Sequence, residues 1–316
     1  MSAGMSWKPN RPVREDVARA YAHLQSLQMT DDLNPMERVK LVRGFIDNFG
    51  ASDKTGALEG VTVTAVRANG VAAEYLVPKG AVTARRIVHF HGGGWMSGSL
   101  ESHRGIAAVL AKRANCAVLL VEYRLAPEHV YPAALDDCMS AYLWAVENGP
   151  DGPARAEAVY LLGDSSGAAL VTAVCNKCII DGAALPKRIA LLTPYLDAAP
   201  SDYDGRHDPL ISTEINQSNI PVYTSGKVAP TDPLICPMQT PRQVLSQYPP
   251  TLVQVSGDEF FLDGARRFTT RLTELGVRCT LSTWPQMPHG WQVFLDVLPE
   301  SHAALREAAL FLDERL

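Results

Sequence analysis

Apolar positions change their period along this chain, and the changes divide it. Over the first fifty residues Val13, Val17, Tyr21 and Leu24 recur at helical spacing with charged residues between them, which predicts an amphipathic helix. Asn34-Pro35-Met36-Glu37 reads as a second helix start: Asn34 suits an N-cap, Pro35 the first helical position, and Glu37 falls three residues after the cap. Met36, Val39, Leu41, Val42, Phe45 and Ile46 then form a broad apolar surface. That excess of apolar positions favours a lid over a pocket rather than simple packing on a core.

From residue 61 the pattern becomes strand-like. Val61–Val66 and Val71–Val77 flank the turn Ala68-Asn69-Gly70 and predict two strands. Short apolar runs follow at Ile87–Phe90, Ala117–Tyr123, Ala158–Leu162, Ile189–Thr193, Thr251–Val255 and Thr280–Trp284. Helical stretches near 103–114, 133–148, 166–180, 264–275 and 299–315 alternate with them. Continuous apolar strands alternating with helices predict an α/β fold: a mostly parallel sheet of about eight strands, covered on both faces. Residues 197–247 break this rhythm with seven prolines and only short apolar pieces. So long a stretch without clear elements reads as a functional excursion, here a second contribution to the lid.

Composition narrows the function classes. The chain has 316 residues, 47% of them hydrophobic, enough for a large core in one or two domains. Its formal charge is −5 and no block of like charge occurs, so neither nucleic acid nor an anionic membrane is an expected partner. The N-terminal residues lack an apolar signal core, and no run reaches the ~18–20 apolar residues that span a bilayer. A cytoplasmic protein is expected. The six cysteines are scattered in a chain too large to need disulfides, which fits reduced thiols. Cys175 and Cys178 form a C-x-x-C, but inside a helix rather than at its N-terminus, so they are expected to pack and not to react.

Two segments carry the chemistry. Val159-Tyr160-Leu161-Leu162 runs into Gly163-Asp164-Ser165-Ser166-Gly167 and then into an apolar helix. This strand–turn–helix setting suits a G-x-S-x-G elbow, which pushes a serine hydroxyl out above the sheet. The helix behind it directs its positive end at Ser165. Asp164 is expected to hydrogen-bond locally within the turn. The second segment, His91-Gly92-Gly93-Gly94-Trp95, follows a strand. Its glycines let several N–H groups converge on one point, and no Lys-Ser/Thr follows to make it a phosphate loop. The N–H groups of Gly93 and Gly94, with that of Ser166, are assigned to an oxyanion hole. His91 is expected to bond the loop backbone, and Trp95 to lie beside the pocket as a substrate-binding residue.

A serine nucleophile needs a base and an acid that orients the base. His207, His289 and His302 follow Ser165; only His289 lies in a loop at the C-terminal edge of a strand, where such sites form. The preceding strand runs into Gly257-Asp258-Glu259, with Asp263 opening the next helix. Spacing does not separate Asp258 from Glu259.

These residues, together with Tyr123-Arg124-Leu125-Ala126-Pro127-Glu128 and His289-Gly290-Trp291, resemble the hormone-sensitive-lipase-like bacterial esterases of the α/β-hydrolase superfamily. The resemblance covers nearly the whole chain. It implies an α/β-hydrolase fold, with residues 1–55 as N-terminal cap helices, 56–316 as the catalytic domain, and 197–247 contributing to the cap. It carries the oxyanion donors onto Gly93, Gly94 and Ser166; the family elbow usually has Ala where Ser166 stands. Family members have an acid four residues before a second Asp. Counting back from Asp263 selects Glu259. The implied activity is that of a serine carboxylesterase acting on small-molecule esters of short to medium chain, with Ser165, Glu259 and His289 as catalytic residues and no metal or cofactor. A lactonase or amidase with the same triad, or a non-catalytic small-molecule receptor on the same scaffold, are the alternatives. Family members are often homodimers, an expectation carried over without an interface.

Overall fold

Asn69 and Gly70 both adopt positive φ, 49° and 92°. That is the geometry of the tight hairpin turn in which Asn-Gly is favoured. The turn joins β1 (Val61–Ala68) to β2 (Val71–Pro78), paired antiparallel from Val61↔Pro78 to Ala68↔Val71. In this computed structural model, which describes residues 12–26, 35–50, 56–198, 208, 211 and 213–314, six further strands continue the same sheet, and Asn148–Gly149 and Gly152–Pro153 pair as a separate small one. The six are β3 (Val82–Phe90), β4 (Cys116–Val121), β5 (Ala158–Asp164), β6 (Ile189–Leu192), β7 (Thr251–Ser256) and β8 (Cys279–Trp284). The spatial order is β1-β2-β4-β3-β5-β6-β7-β8, with β2 antiparallel to β4 and all pairs from β4 to β8 parallel. The eight expected strands are therefore present. β4 and β7 are buried along their full length, as parallel strands covered on both faces must be.

The helices are α1 (Glu15–Gln25), α2 (Pro35–Gly50), α3 (Leu100–Ala114), α4 (Ala133–Glu147), α5 (Ser166–Asp181), α6 (Thr213–Thr224), α7 (Arg242–Leu245), α8 (Leu262–Glu274) and α9 (Pro299–Leu312). One core joins α4, α5 and α8 to one face of the sheet; a second joins α3 and α9 to the other. Val17, Ala20, Tyr21 and Leu24 of α1 pack on Trp291, Phe294 and Leu298, which lie beyond β8. Asn34, the expected N-cap of α2, lies outside the described residues, as does His207.

The expectation that 197–247 lacks clear elements needs correction. α6 crosses this stretch with Pro221 inside the helix. Its hydrophobic side is short and a mid-helix proline is normally a breaker, so the pattern alone pointed the other way.

Candidate active site

The turn after β5 holds Ser165 at φ 52°, ψ −119°, a backbone state that few non-glycine residues occupy. Crowding enforces it. A Cβ on Gly163 would lie 2.4 Å from the Gly167 carbonyl oxygen, and one on Gly167 would lie 2.1 Å from that of Phe90. Only glycine fits at either position. The turn is further held by the Ser165 N–H, which donates to the Leu192 carbonyl at 2.9 Å. The result is a hydroxyl at the mouth of a cavity, at the N-terminus of α5.

His289 reaches this hydroxyl from the loop after β8, with Nε2 3.0 Å from Ser165 Oγ. Its Nδ1 lies 2.5 Å from Oε2 of Glu259, and Glu259 Oε1 accepts from the Ser256 N–H at 2.7 Å. The three residues, far apart in sequence, thus form one hydrogen-bonded chain. Burial alone would push the imidazole pKa down. The hydrogen bond and negative charge of Glu259 outweigh it and hold that pKa above 6.5. Asp258, the competing acid, is directed elsewhere. Its Oδ2 accepts from the Gln286 N–H at 2.7 Å, so it braces the loop that carries His289. The Ser256 hydroxyl adds a second brace to the same loop, donating to the Met287 carbonyl at 2.6 Å.

The glycine loop after β3 faces the serine. Gly93 and Gly94 have φ 118° and 64°, which L side chains rarely adopt, and a Cβ on Gly93 would strike the Ser97 carbonyl. Their N–H groups have no acceptor among the described residues, and neither does the N–H of Ser166 at the first position of α5. The Ser166 hydroxyl accepts from the Trp95 N–H at 3.2 Å. His91 bonds the loop backbone as expected, Nδ1 to the Gly92 carbonyl at 2.8 Å, and stacks on Tyr123 at 4.2 Å. Burial pushes its pKa down to about 3, so it stays neutral. Trp95 lies beside the cavity, stacked on Tyr223 of α6 at 4.7 Å.

Asp164 does more than the local turn bonding expected of it. Its carboxylate accepts from the Gly92 N–H at 3.0 Å and meets His103 Nε2 at 3.1 Å and His89 Nε2 at 3.3 Å. Burial opposes its charge, but the charge and hydrogen bonds of His103 and His89 prevail and hold its pKa well below the ordinary carboxylate value. It thereby ties the elbow to both the glycine loop and α3. His103 carries no sequence signal for this role: it looks like one more polar residue in the first turn of α3.

The cavity measures about 740 Å³. Leu24 of α1, Val39, Val42 and Ile46 of α2, and Val222 of α6 line it together with Ser165. Cys175 and Cys178 are buried, unpaired thiols in the body of α5, away from this cavity, and burial raises both pKa values. A hydroxyl hydrogen-bonded to a buried imidazole–carboxylate pair, beside backbone N–H groups without acceptors among the described residues, can carry out acyl transfer.

Residues 87–293 match the family described as alpha/beta hydrolase fold. Among curated proteins, an esterase of Acinetobacter venetianus is 32% identical over 255 residues, 79% of this chain and 82% of its own. The carboxylesterase NlhH of Mycobacterium tuberculosis is 28% identical over 295 residues, 92% of this chain and 86% of its own. Among solved structures, an esterase from the bacterial hormone-sensitive lipase family superposes with a TM-score of 0.84 at 31% identity, covering 96% of this chain and 99% of that one.

Proposed function

The chain belongs to the bacterial hormone-sensitive lipase family of the α/β-hydrolase fold and is a carboxylesterase; we propose that Ser165, His289 and Glu259 are its catalytic triad. The observation that carries this reading is the continuous hydrogen-bond chain from Glu259 through His289 to Ser165.

Ser165 Oγ attacks the ester carbonyl carbon while His289 Nε2 takes its proton. Glu259 keeps the imidazole in the tautomer with hydrogen on Nδ1 and balances the imidazolium that forms. The N–H groups of Gly93, Gly94 and Ser166 receive the negative charge that develops on the carbonyl oxygen. The tetrahedral intermediate collapses as His289 returns the proton to the departing alcohol. This leaves Ser165 acylated. Water, deprotonated by the same His289, then attacks the acyl carbon and releases the acid.

The same reading makes residues 1–55 a cap, with 197–247 contributing, over a catalytic domain of 56–316. The positions of Leu24, Val39, Val42, Ile46 and Val222 on the cavity wall support it. A cavity of about 740 Å³ suits esters of short to medium chain, with Trp95 among the residues that meet them. Among the described residues no helix is long and apolar enough to cross a membrane. We assign the protein to the cytoplasm, supported by six unpaired cysteines, which suit a reducing compartment.

Hydrolysis of p-nitrophenyl butyrate by the purified protein tests the triad. Ser165→Ala is expected to reduce kcat by at least about a thousandfold. Retention of full activity by that variant would remove Ser165 from the mechanism.

A further inference from the structure

Two buried carboxylates, not one, hold the acid loop that follows β7. Glu259 meets His289, as described above. Asp208, in the 197–247 stretch, is 7% exposed, and its Oδ2 accepts from the Phe260 N–H at 3.0 Å. That N–H belongs to the peptide unit between Glu259 and Phe260. The carbonyl of the same unit, that of Glu259, accepts from the Leu262 N–H at 3.3 Å. The peptide that carries Glu259 is therefore held at both ends, once by the start of α8 and once by Asp208. The other oxygen of Asp208, Oδ1, accepts from the Ile211 N–H at 3.0 Å, and Ile211 lines the cavity.

A neutral oxygen would satisfy the Phe260 N–H as well. A second carboxylate near Glu259 is unfavourable by comparison, because like charges repel and burial weakens their screening. Burial raises the Glu259 pKa, its bonds to His289 and Ser256 lower it, and the charge of Asp208 raises it again. The compensation lies at His289. Burial pushes that imidazole pKa down, Glu259 pushes it up, and the charges of Asp208 and Asp164 add to the rise. Three carboxylates thus act on His289, from the acid loop, the 197–247 stretch and the end of β5. A fourth, Asp258, turns to the Gln286 N–H instead. Its remaining neighbours are uncharged: Ser165 Oγ at 3.0 Å and the Phe261 ring, edge-on at 5.2 Å. No Lys or Arg among the described residues lines the cavity.

We propose that Asp208 is a positioning residue for the triad: it fixes the Glu259–Phe260 peptide and places a second negative charge near the His289 imidazolium that forms when Ser165 gives up its proton. The proposal rests on the triad reading above. Asp208 is not among the residues that line the cavity, so it acts through Glu259 and His289 and not on the ester. Its charge favours the positive imidazole of the transition state, and the fixed peptide keeps Glu259 Oε2 aimed at His289 Nδ1.

The test is the pH profile of kcat and KM for p-nitrophenyl butyrate in Asp208→Asn, with Asp208→Glu beside it. The Asn variant keeps the size and one acceptor and loses the charge. Without that charge the imidazolium is less favourable, so the acid limb should move to lower pH. At about pH 6, kcat/KM as a fraction of its plateau should rise about threefold over wild type. The plateau kcat should fall about tenfold with KM little changed. Asp208→Glu keeps the charge and should hold the limb at its wild-type position while kcat falls. A residue that only anchors the 197–247 stretch would raise KM or lower the melting temperature and leave the limb in place. A limb unmoved in Asp208→Asn, or moved equally in Asp208→Glu, overturns the proposal. If Asp208→Asn does not fold by circular dichroism, Asp208→Ser replaces it with the same expectations; failure of both to fold makes Asp208 a residue of the fold and overturns the proposal too. All of these outcomes leave the triad reading standing, whereas undiminished turnover by Ser165→Ala would overturn that reading itself.

Discussion

The backbone N–H of Trp95 donates to the side-chain hydroxyl of Ser166 at 3.2 Å, joining the glycine loop directly to the turn that holds Ser165. The bond uses the one elbow residue at which this chain departs from the family's usual alanine. Ser166→Ala keeps the backbone N–H proposed for the oxyanion hole and removes only this tie. We expect kcat on p-nitrophenyl butyrate to fall about fivefold with KM little changed, since the lost hydrogen bond contributes about 1 kcal/mol. An unchanged kcat would show that the loop's other hydrogen bonds, among them those from Asp164 and Tyr123, hold it adequately.

The pH profile follows from the His289–Glu259 contact. In the proposed triad His289 must be neutral at Nε2 to take the serine proton, and its pKa is held above 6.5 by Glu259 against the opposing effect of burial. Activity therefore rises with pH through that raised pKa, and the acid limb of kcat/KM lies above 6.5. Glu259→Gln leaves burial in place and removes the charge, so the limb should move below 6.5 while kcat drops by about three to four orders of magnitude. Asp258→Asn should keep the limb where it is, because that carboxylate braces the Gln286 N–H and does not touch the imidazole. If Asp258→Asn moved the limb and Glu259→Gln did not, the two roles would be exchanged.

Arg43 of α2 forks onto both carboxylate oxygens of Glu128 at 2.8 and 2.7 Å. It also donates to the carbonyls of Met96 and Ala126, at 2.7 and 3.0 Å. One side chain thereby anchors α2 to the segment after Trp95. Its hydrogen bonds hold the Glu128 pKa down to about 2. A depressed acid contributes its stability above the ordinary 4.5 and loses it as pH falls through about 2, so the anchor persists across the neutral range. The pair is partly exposed, and Arg43→Ala should cost less than about 1 kcal/mol of global stability. The larger effect should be on binding: a several-fold rise in KM for esters, measured beside a thermal melt. A large fall in melting temperature with unchanged KM would make Arg43 a stability residue and not one that positions α2 over the cavity.

Two glycines of α5 separate crowding from backbone conformation. Gly167→Ala places a methyl 2.1 Å from the Phe90 carbonyl oxygen. Backbone cannot yield as a side chain can, so a loss of about 3 kcal/mol or more in urea unfolding is expected, with activity abolished. Gly182, at the C-cap of the same helix with φ 68°, has nothing within 4 Å of the added carbon. Gly182→Ala should cost only the left-handed backbone penalty of about 1–2 kcal/mol and leave kcat unchanged. Equal losses for the two variants would contradict the crowded geometry of the elbow.

Much of the architecture was legible because it is written in local periodicity. Continuous short apolar runs such as Ala158–Leu162, alternating with helical stretches, suit strands buried on both faces, and Asn69-Gly70 carries its turn type in its own conformational preferences. α6 was not legible. Pro221 argues against a helix locally, and α6 forms in a setting where Ile220 and Tyr223 are buried against the rest of the fold. His289 was identifiable by elimination, since only it follows a strand at the proper edge. Asp258 and Glu259 are adjacent and chemically alike, so spacing left them level and only the family resemblance favoured Glu259; in the structure their orientations differ. Oε2 of Glu259 meets His289, whereas Oδ2 of Asp258 turns to Gln286.

The sequence by itself determined the strand order of chemistry: a serine on a sharp turn, a glycine loop before it, an acid loop and a histidine loop after it. These depend on residue type and short-range spacing, which the chain states directly. Tertiary structure decided everything that depends on which distant groups meet. Asp164 joins Gly92, His89 and His103 across more than sixty positions, and Arg43 reaches from α2 to Glu128. None of these pairings has a local signature. The stability of a buried polar group depends on the atoms packed around it, and those are fixed only when the whole chain closes.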